Sequence, residues 1–158
     1  EILSKNPKSL CIIEKDKIFS HDLKKKYKHD KRVKVFNSDV LKFNIENICK
    51  NNSIIFGNLP YNISSQILVN FLKFKEWPPK YTNLIFMFQK ELGEKIIGKF
   101  KTFNYGRISI LANYRLEISK KFFVSENCFF PRPKVKSIVI QFKPKNKISH
   151  KQINSKKL

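Results

Sequence analysis

The spacing of apolar positions changes several times along this chain, and each change marks an element. Residues 9–14, SLCIIE, form a short apolar run that predicts a buried strand. Ahead of it, 1–5 reads as the last turn of a helix, stopped by Asn6-Pro7. The Lys-rich stretch 16–28 carries Ile18, Phe19, Leu23 and Tyr27 at roughly helical spacing, so a helix is expected there. In 32–39, Val33 and Val35 alternate with Lys34, as in a second strand. A short helix at 44–50 and a buried strand at 53–57 follow. Over 64–74, Ile67, Leu68, Phe71 and Leu72 share one helical face and Ser64 stands at the start, which predicts a capped amphipathic helix.

The pattern then gives a strand at 82–89 and a helix at 90–100. Two alternating, β-rich runs, 115–125 and 135–144, are separated by a loop containing prolines. Strands alternating with helices and closed by a pair of strands predict an α/β fold. Its sheet should be mostly parallel, with an antiparallel terminal strand and helices on both faces. At 158 residues, with no internal repeat, a single core is expected. The domain would span 1–143, and the polar, Lys-rich 144–158 reads as a basic tail or the beginning of a further domain.

Composition narrows the class. Fifteen Phe and 41% hydrophobic residues suffice for a packed core despite the charge. No apolar run approaches the roughly 18–20 residues of a membrane span, and the N-terminus lacks a signal-peptide pattern, so a soluble, cytoplasmic protein is expected. Cys11, Cys49 and Cys128 are widely spaced, and His21, His29 and His150 sit among lysines, a distribution that suits reduced structural thiols and no metal site. A net charge of +21 favours a polyanionic partner, nucleic acid above all. The basic residues are nearly all Lys, with only Arg32, Arg107, Arg115 and Arg132 as arginines, a bias that an A/T-rich genome also produces.

In an open α/β sheet, ligands bind beyond the carboxyl ends of the strands. Glu14 ends the first strand, where a carboxylate can accept from both hydroxyls of a ribose; Asp39 ends the second, where it can accept from an adenine amino group. Asn58 ends the third. An adenine exocyclic amine is a poor nucleophile, so a site that alkylates it must hold its N–H groups with acceptors. The Asn58 side-chain carbonyl and the Leu59 backbone carbonyl are two such acceptors, Pro60 restricts Leu59 to an extended conformation, and Tyr61 can stack on a base drawn out of its helix. The same four residues could equally form an ordinary strand-to-helix turn.

Asn58-Leu59-Pro60-Tyr61 resembles the N/D-L/I/P-P-Y/F motif of S-adenosylmethionine-dependent amino methyltransferases. With FMFQKEL (86–92), YGRISIL (105–111) and FFPRPKVKSIV (129–139), in that order, the chain is similar to the ribosomal RNA adenine N6,N6-dimethyltransferase family from about Leu10 to Phe142. The resemblance implies a Rossmann-like class I methyltransferase sheet. It also implies transfer of methyl groups from S-adenosylmethionine to two adjacent adenines near the 3′ end of small-subunit ribosomal RNA, acting on the RNA or the small subunit; the single domain and high charge favour a monomer on that RNA. Glu14, Lys15, Asp39, Val40 and Asn58 would bind the cofactor, and Asn58, Leu59, Pro60, Tyr61 and Phe129 would form the catalytic site, with Phe129 opposite Tyr61. Arg107, Arg132, Lys134 and Lys136 would contact RNA.

The family's Gly-rich cofactor loop is missing, since none of Gly57, Gly93, Gly98 and Gly106 forms a G-x-G. The expectation is therefore a chain truncated at its N-terminus and lacking the small C-terminal domain. Two alternatives stay open. One is a large-subunit adenine methyltransferase of the macrolide-resistance type; the other is a non-catalytic RNA-binding assembly factor with the same fold. A DNA adenine methyltransferase fits less well, because that class usually carries proline at the Leu59 position.

Overall fold

The computed structural model describes residues 2–146, so most of the basic tail lies outside the described residues. The chain divides into two compact units, Glu1–Ile48 and Cys49–Leu158. The strands correspondingly fall into a two-stranded and a four-stranded sheet.

The first unit is a β-α-β arrangement. Strand β1 (Leu10–Glu14) leads into helix α1 (Lys17–Lys26) and then strand β2 (Val33–Asn37), followed by the short helix α2 (Ile45–Ile48). The strands pair in parallel from Leu10↔Val33 to Glu14↔Asn37, so their carboxyl ends lie side by side. Asp16 caps α1 by accepting from the Phe19 N–H at 2.9 Å, and Lys24, Lys25 and Lys26 complement the opposite end of the helix dipole. Leu23 and Tyr27 are half-buried, whereas Ile18 and Phe19 are exposed despite their helical spacing. Ahead of β2, Arg32 grips both oxygens of Asp30, at 2.9 and 2.7 Å, and donates to Asn6 Oδ1 at 2.8 Å. That triad ties the turn before β1 to the start of β2.

The second unit contains strand β3 (Ser53–Asn58), helix α3 (Ser64–Leu72), strand β4 (Tyr81–Gln89), helices α4 (Lys90–Ile96) and α5 (Arg107–Arg115), and strands β5 (Leu116–Val124) and β6 (Ser137–Pro144). The sheet order is β3-β4-β6-β5; β3 and β4 are parallel, while β6 runs antiparallel to both β4 and β5. Strands β3, β4 and β5 thus run one way, and the strand that comes last in sequence, β6, runs the other way, as expected, but is inserted between β4 and β5 instead of lying at the edge.

Along β4 and β6, alternate residues Leu84, Phe86, Phe88, Ile138, Ile140 and Phe142 are at most 1% exposed. Phe71 of α3 meets Phe86 with ring centroids 5.4 Å apart, and Phe88 meets Phe142 at 6.4 Å. With Ile67, Leu68 and Leu72 of α3, Ile96 of α4 and Ala112 of α5, these side chains make the core. Each fully buried side chain contributes roughly 1.5–3 kcal/mol.

Three local expectations need correction. Ser64 does not cap α3; its hydroxyl donates to the Tyr61 carbonyl at 3.0 Å and closes the turn between β3 and the helix. Helix α4 stops at Ile96 rather than 100, since the chain folds back so closely that a Cβ on Gly98 would lie 2.3 Å from the Asn104 carbonyl oxygen. Helix α5 was not expected at all. Ile108, Ser109, Ile110 alternate like a strand, yet the residues buried from this helix are the small Ser109 and Ala112.

Candidate active site

Strand β3 delivers the N-L-P-Y segment to the carboxyl end of its sheet. The register places Asn58 beside Met87 on β4. The peptide then leaves the ladder at Pro60, which has no N–H to offer. The Pro60 carbonyl accepts from the Ile63 N–H at 3.2 Å, and α3 starts immediately afterwards. The Leu59 side chain folds back over Gly57, where an added Cβ would lie 2.4 Å from Leu59 Cδ2.

An open cavity of about 360 Å³ lies over this segment. Asn58, Leu59, Pro60, Tyr61 and Phe129 all line it, so the structure brings together every residue expected in the catalytic site, from segments some 70 positions apart. Met87, Phe130, Pro131 and Pro133 complete the wall. Sequence reasoning did not single these out, although Met87 lies inside FMFQKEL and the others inside FFPRPKVKSIV. The size falls in the range of small-molecule sites, roughly 300–1,000 Å³. The lining is apolar and aromatic with one conspicuous polar group. Among the described residues the Asn58 side chain makes no hydrogen bond, which leaves its amide available to a ligand.

Tyr61 is held at both ends. Its carbonyl takes the Ser64 hydroxyl, and its Oη lies 2.7 Å from the hydroxyl of Ser137, a fully buried residue at the start of β6.

In the first unit, Glu14 and Asp39 both lie at the carboxyl edge of the β1–β2 pair. Glu14 Oε1 accepts from the Asp16 N–H at 2.8 Å. Asp39 pairs with Lys15 at 2.9 Å and accepts from the Leu41 N–H at 2.9 Å. The Lys15 hydrogen bond, reinforced by that N–H, holds the Asp39 carboxyl below its usual range, so it stays ionised. Each carboxylate has capacity for further donors, since an ionised carboxylate can accept about four. Asn37, which sequence reasoning did not single out, donates from Nδ2 to the carbonyls of Glu14 and Lys15 at 3.0 and 3.1 Å and fixes the β1–α1 turn. Val40 is half-buried beside Asp39.

These acceptors fit the ribose and adenine parts of a nucleoside cofactor. Among the described residues no glycine has positive φ, and none forms a loop suited to the amino-acid part.

The basic residues divide. Lys134 and Lys136 are exposed beside the cavity loop. Arg132 is engaged with Glu126 at 2.9 Å, an exposed pair in which Glu126 is held below its usual range by its own backbone N–H and by the guanidinium. Arg107 opens α5 and is exposed, but it is not part of the cavity wall. Gln89-Lys90-Glu91 enters α4, where Lys90–Glu94 and Glu91–Lys95 are ion pairs along the helix. Among the described residues no group of three or more His, Cys, Asp and Glu is placed to hold a metal, and no helix is long and apolar enough to cross a membrane.

Comparison with solved structures defines the class. The chain is similar to a dimethyladenosine transferase from Plasmodium falciparum, with a TM-score of 0.74 and 26% identity over 87% of this chain and 48% of that one. It also shares the fold of the 23S rRNA methyltransferase ErmE, with a TM-score of 0.68 and 21% identity over 89% of this chain and 54% of that one. The fold is that of a class I methyltransferase.

Curated relatives include the ribosomal RNA small subunit methyltransferase A of Pelagibacter ubique, 40% identical over 91% of this chain, and that of Malacoplasma penetrans, 38% identical over 92%. The chain spans about half the length of these relatives, 54% and 51%. The ribosomal RNA adenine dimethylase model matches residues 1–157, and the chain belongs to that family.

Proposed function

We propose that this protein transfers methyl groups from S-adenosylmethionine to N6 of adenines in small-subunit ribosomal RNA, at two adjacent positions near the 3′ end, in ribosome biogenesis. The observation that carries this reading is the cavity. It sets one unpartnered amide, Asn58, among the aromatic rings of Tyr61, Phe129 and Phe130. A purine needs flat apolar walls, and its exocyclic amine needs an acceptor at the end. The names of the curated relatives support the small subunit as substrate.

Glu14 and Asp39 are the acceptors for the cofactor's ribose and adenine, with Lys15 keeping Asp39 ionised and Val40 giving an apolar contact beside it. When bound, S-adenosylmethionine supplies an electrophilic methyl group. The chain's own task is positioning. The Asn58 carbonyl accepts an N–H of the target amine, which localises the nitrogen lone pair for attack, and the Leu59 carbonyl accepts the second. Tyr61 and Phe129 hold the ring between them and exclude water. Neither a covalent enzyme intermediate nor a strong base is needed: the carbonyls hold the N–H groups during attack, and the nitrogen, made cationic as its new N–C bond forms, is acidic enough to give its proton to solvent afterwards. Lys134 and Lys136 beside the cavity take phosphates of the flanking RNA, with Arg107 and Arg132 in secondary contacts. The protein works in the cytoplasm, as a monomer on its RNA.

An Asn58→Ala variant tests this reading against a purely RNA-binding role. Radiolabelled methyl transfer to unmodified small subunits should fall by at least 100-fold while RNA affinity stays within about twofold, as expected for loss of an interaction made chiefly in the transition state. Equal transfer by the variant and the parent would overturn the assignment.

A further inference from the structure

We propose that Ser137 is a positioning residue for methyl transfer: its buried hydroxyl, 2.7 Å from Tyr61 Oη, fixes the position of the ring that stacks on the target adenine. The inference rests on the function proposed above and adds a residue to it.

Ser137 is well suited to hold something still. It is the first residue of β6 and is paired on one side with Gln89 of β4 and on the other with Val124 of β5, so its backbone is fixed from both directions. Its side chain is 0% exposed. One residue before it, the Lys136 carbonyl accepts from the Lys90 N–H at 2.9 Å, which pins the same point to the start of α4. Tyr61 by contrast lies in the turn after β3, outside any ladder. Its only described ties are the Ser64 hydroxyl on its carbonyl and Ser137 on its phenol.

A phenol anchored at its tip cannot swing about its Cα–Cβ bond without breaking a hydrogen bond inside the protein. The tether also crosses the cavity's two sources, joining the 58–61 segment to the strand that follows the 129–133 wall. Stacking demands that the ring sit at a defined offset from the base. A displacement on the order of 1 Å in a positioned group can cost up to about 100-fold in rate.

The two ends of this bond are not equivalent. Removing the Ser137 hydroxyl leaves a half-buried phenol that can turn to water, so folding is little affected. Removing the Tyr61 hydroxyl strands a buried serine. Ser137→Ala is therefore the informative variant, with Tyr61→Phe and the double variant as its partners.

On unmodified small subunits, Ser137→Ala should lower kcat on the order of tenfold with RNA affinity and KM nearly unchanged, and Ser137→Thr should recover most of the loss. The double variant should be no slower than Tyr61→Phe alone, because both changes cut one bond. Three results would overturn the inference: unchanged kcat in Ser137→Ala, a loss matching the fraction unfolded by circular dichroism at the assay temperature, or additive losses in the double variant. Asn58→Ala keeps the two proposals apart. If it abolishes transfer while Ser137→Ala does nothing, only the positioning role fails; if Asn58→Ala is fully active, the catalytic reading itself falls.

Discussion

Replacing Gly93 by alanine puts a single methyl group where α4 packs directly on β6. The added Cβ would lie 2.1 Å from Ile138 Cγ2 and 3.4 Å from Ile140 Cδ1, both on fully buried side chains. Two effects oppose. Alanine in place of glycine in a helix is worth about 0.8–1 kcal/mol in favour of folding. Overpacking of a filled core costs typically 1–3 kcal/mol. Relief by lifting α4 is resisted, because its first N–H is bonded to the Lys136 carbonyl and its last turn buries Ile96. Ile138 cannot yield easily either, held as it is between β4 and β5.

The clash should therefore win, and Gly93→Ala is expected to lose about 0.5–2 kcal/mol in urea unfolding followed by circular dichroism. Gly93→Ala in an Ile138→Ala background, where Cγ2 is gone, should be neutral or stabilising, giving a coupling of about 1 kcal/mol or more. A Gly93→Ala variant that is more stable than the parent would refute the close-packing argument, since helix propensity alone would then account for the change.

Two further outcomes follow from burial and charge. Leu68→Ala, at a 0% exposed position in α3, should cost about 2–5 kcal/mol in the same unfolding experiment; a loss under 1 kcal/mol would mean that α3 does not seal the core. The Arg32 hydrogen bonds hold Asp30 down from the usual 3.8 to about 2. A depressed carboxylate contributes its stability above the unfolded value, and that contribution is lost as pH falls from about 4 towards 2. The Asp30 carboxyl should show this titration by NMR, and Arg32→Ala should return it towards 3.8; an unshifted Asp30 in the parent protein would rule out the grip.

The legibility of this chain depended on how local each signal was. Asn58 to Tyr61 are contiguous, and a proline after a strand has few conformations, so their placement at a sheet edge follows from the sequence itself. Phe129 was reached through its motif, and the fold delivers it to the same cavity. Side-chain partners were another matter. Lys15 meets Asp39 across 24 positions and Tyr61 meets Ser137 across 76, and no spacing rule connects such residues. The pairing of Arg132 with Glu126 occupies a cation that composition alone would assign to RNA. Helix α5 escaped notice because it buries Ser109 and Ala112 rather than its larger residues, which inverts the usual apolar stripe. The division into two units was hidden as well, since strand periodicity tells which segments are strands and leaves open which sheet each one joins.

Trp77 is the sole tryptophan of the chain, and its surroundings make it a built-in spectroscopic label. Its indole N–H donates to the Lys145 carbonyl at 2.9 Å, and the Arg115 guanidinium covers the ring at 4.6 Å. Loss of the second unit's packing would strip away both neighbours and shift its emission to the red. The first unit contributes no indole, so tryptophan emission is blind to it, whereas backbone ellipticity registers both. Melting curves recorded by the two methods on one sample would therefore coincide only if the units lose structure together, and the gap between the midpoints would measure their independence.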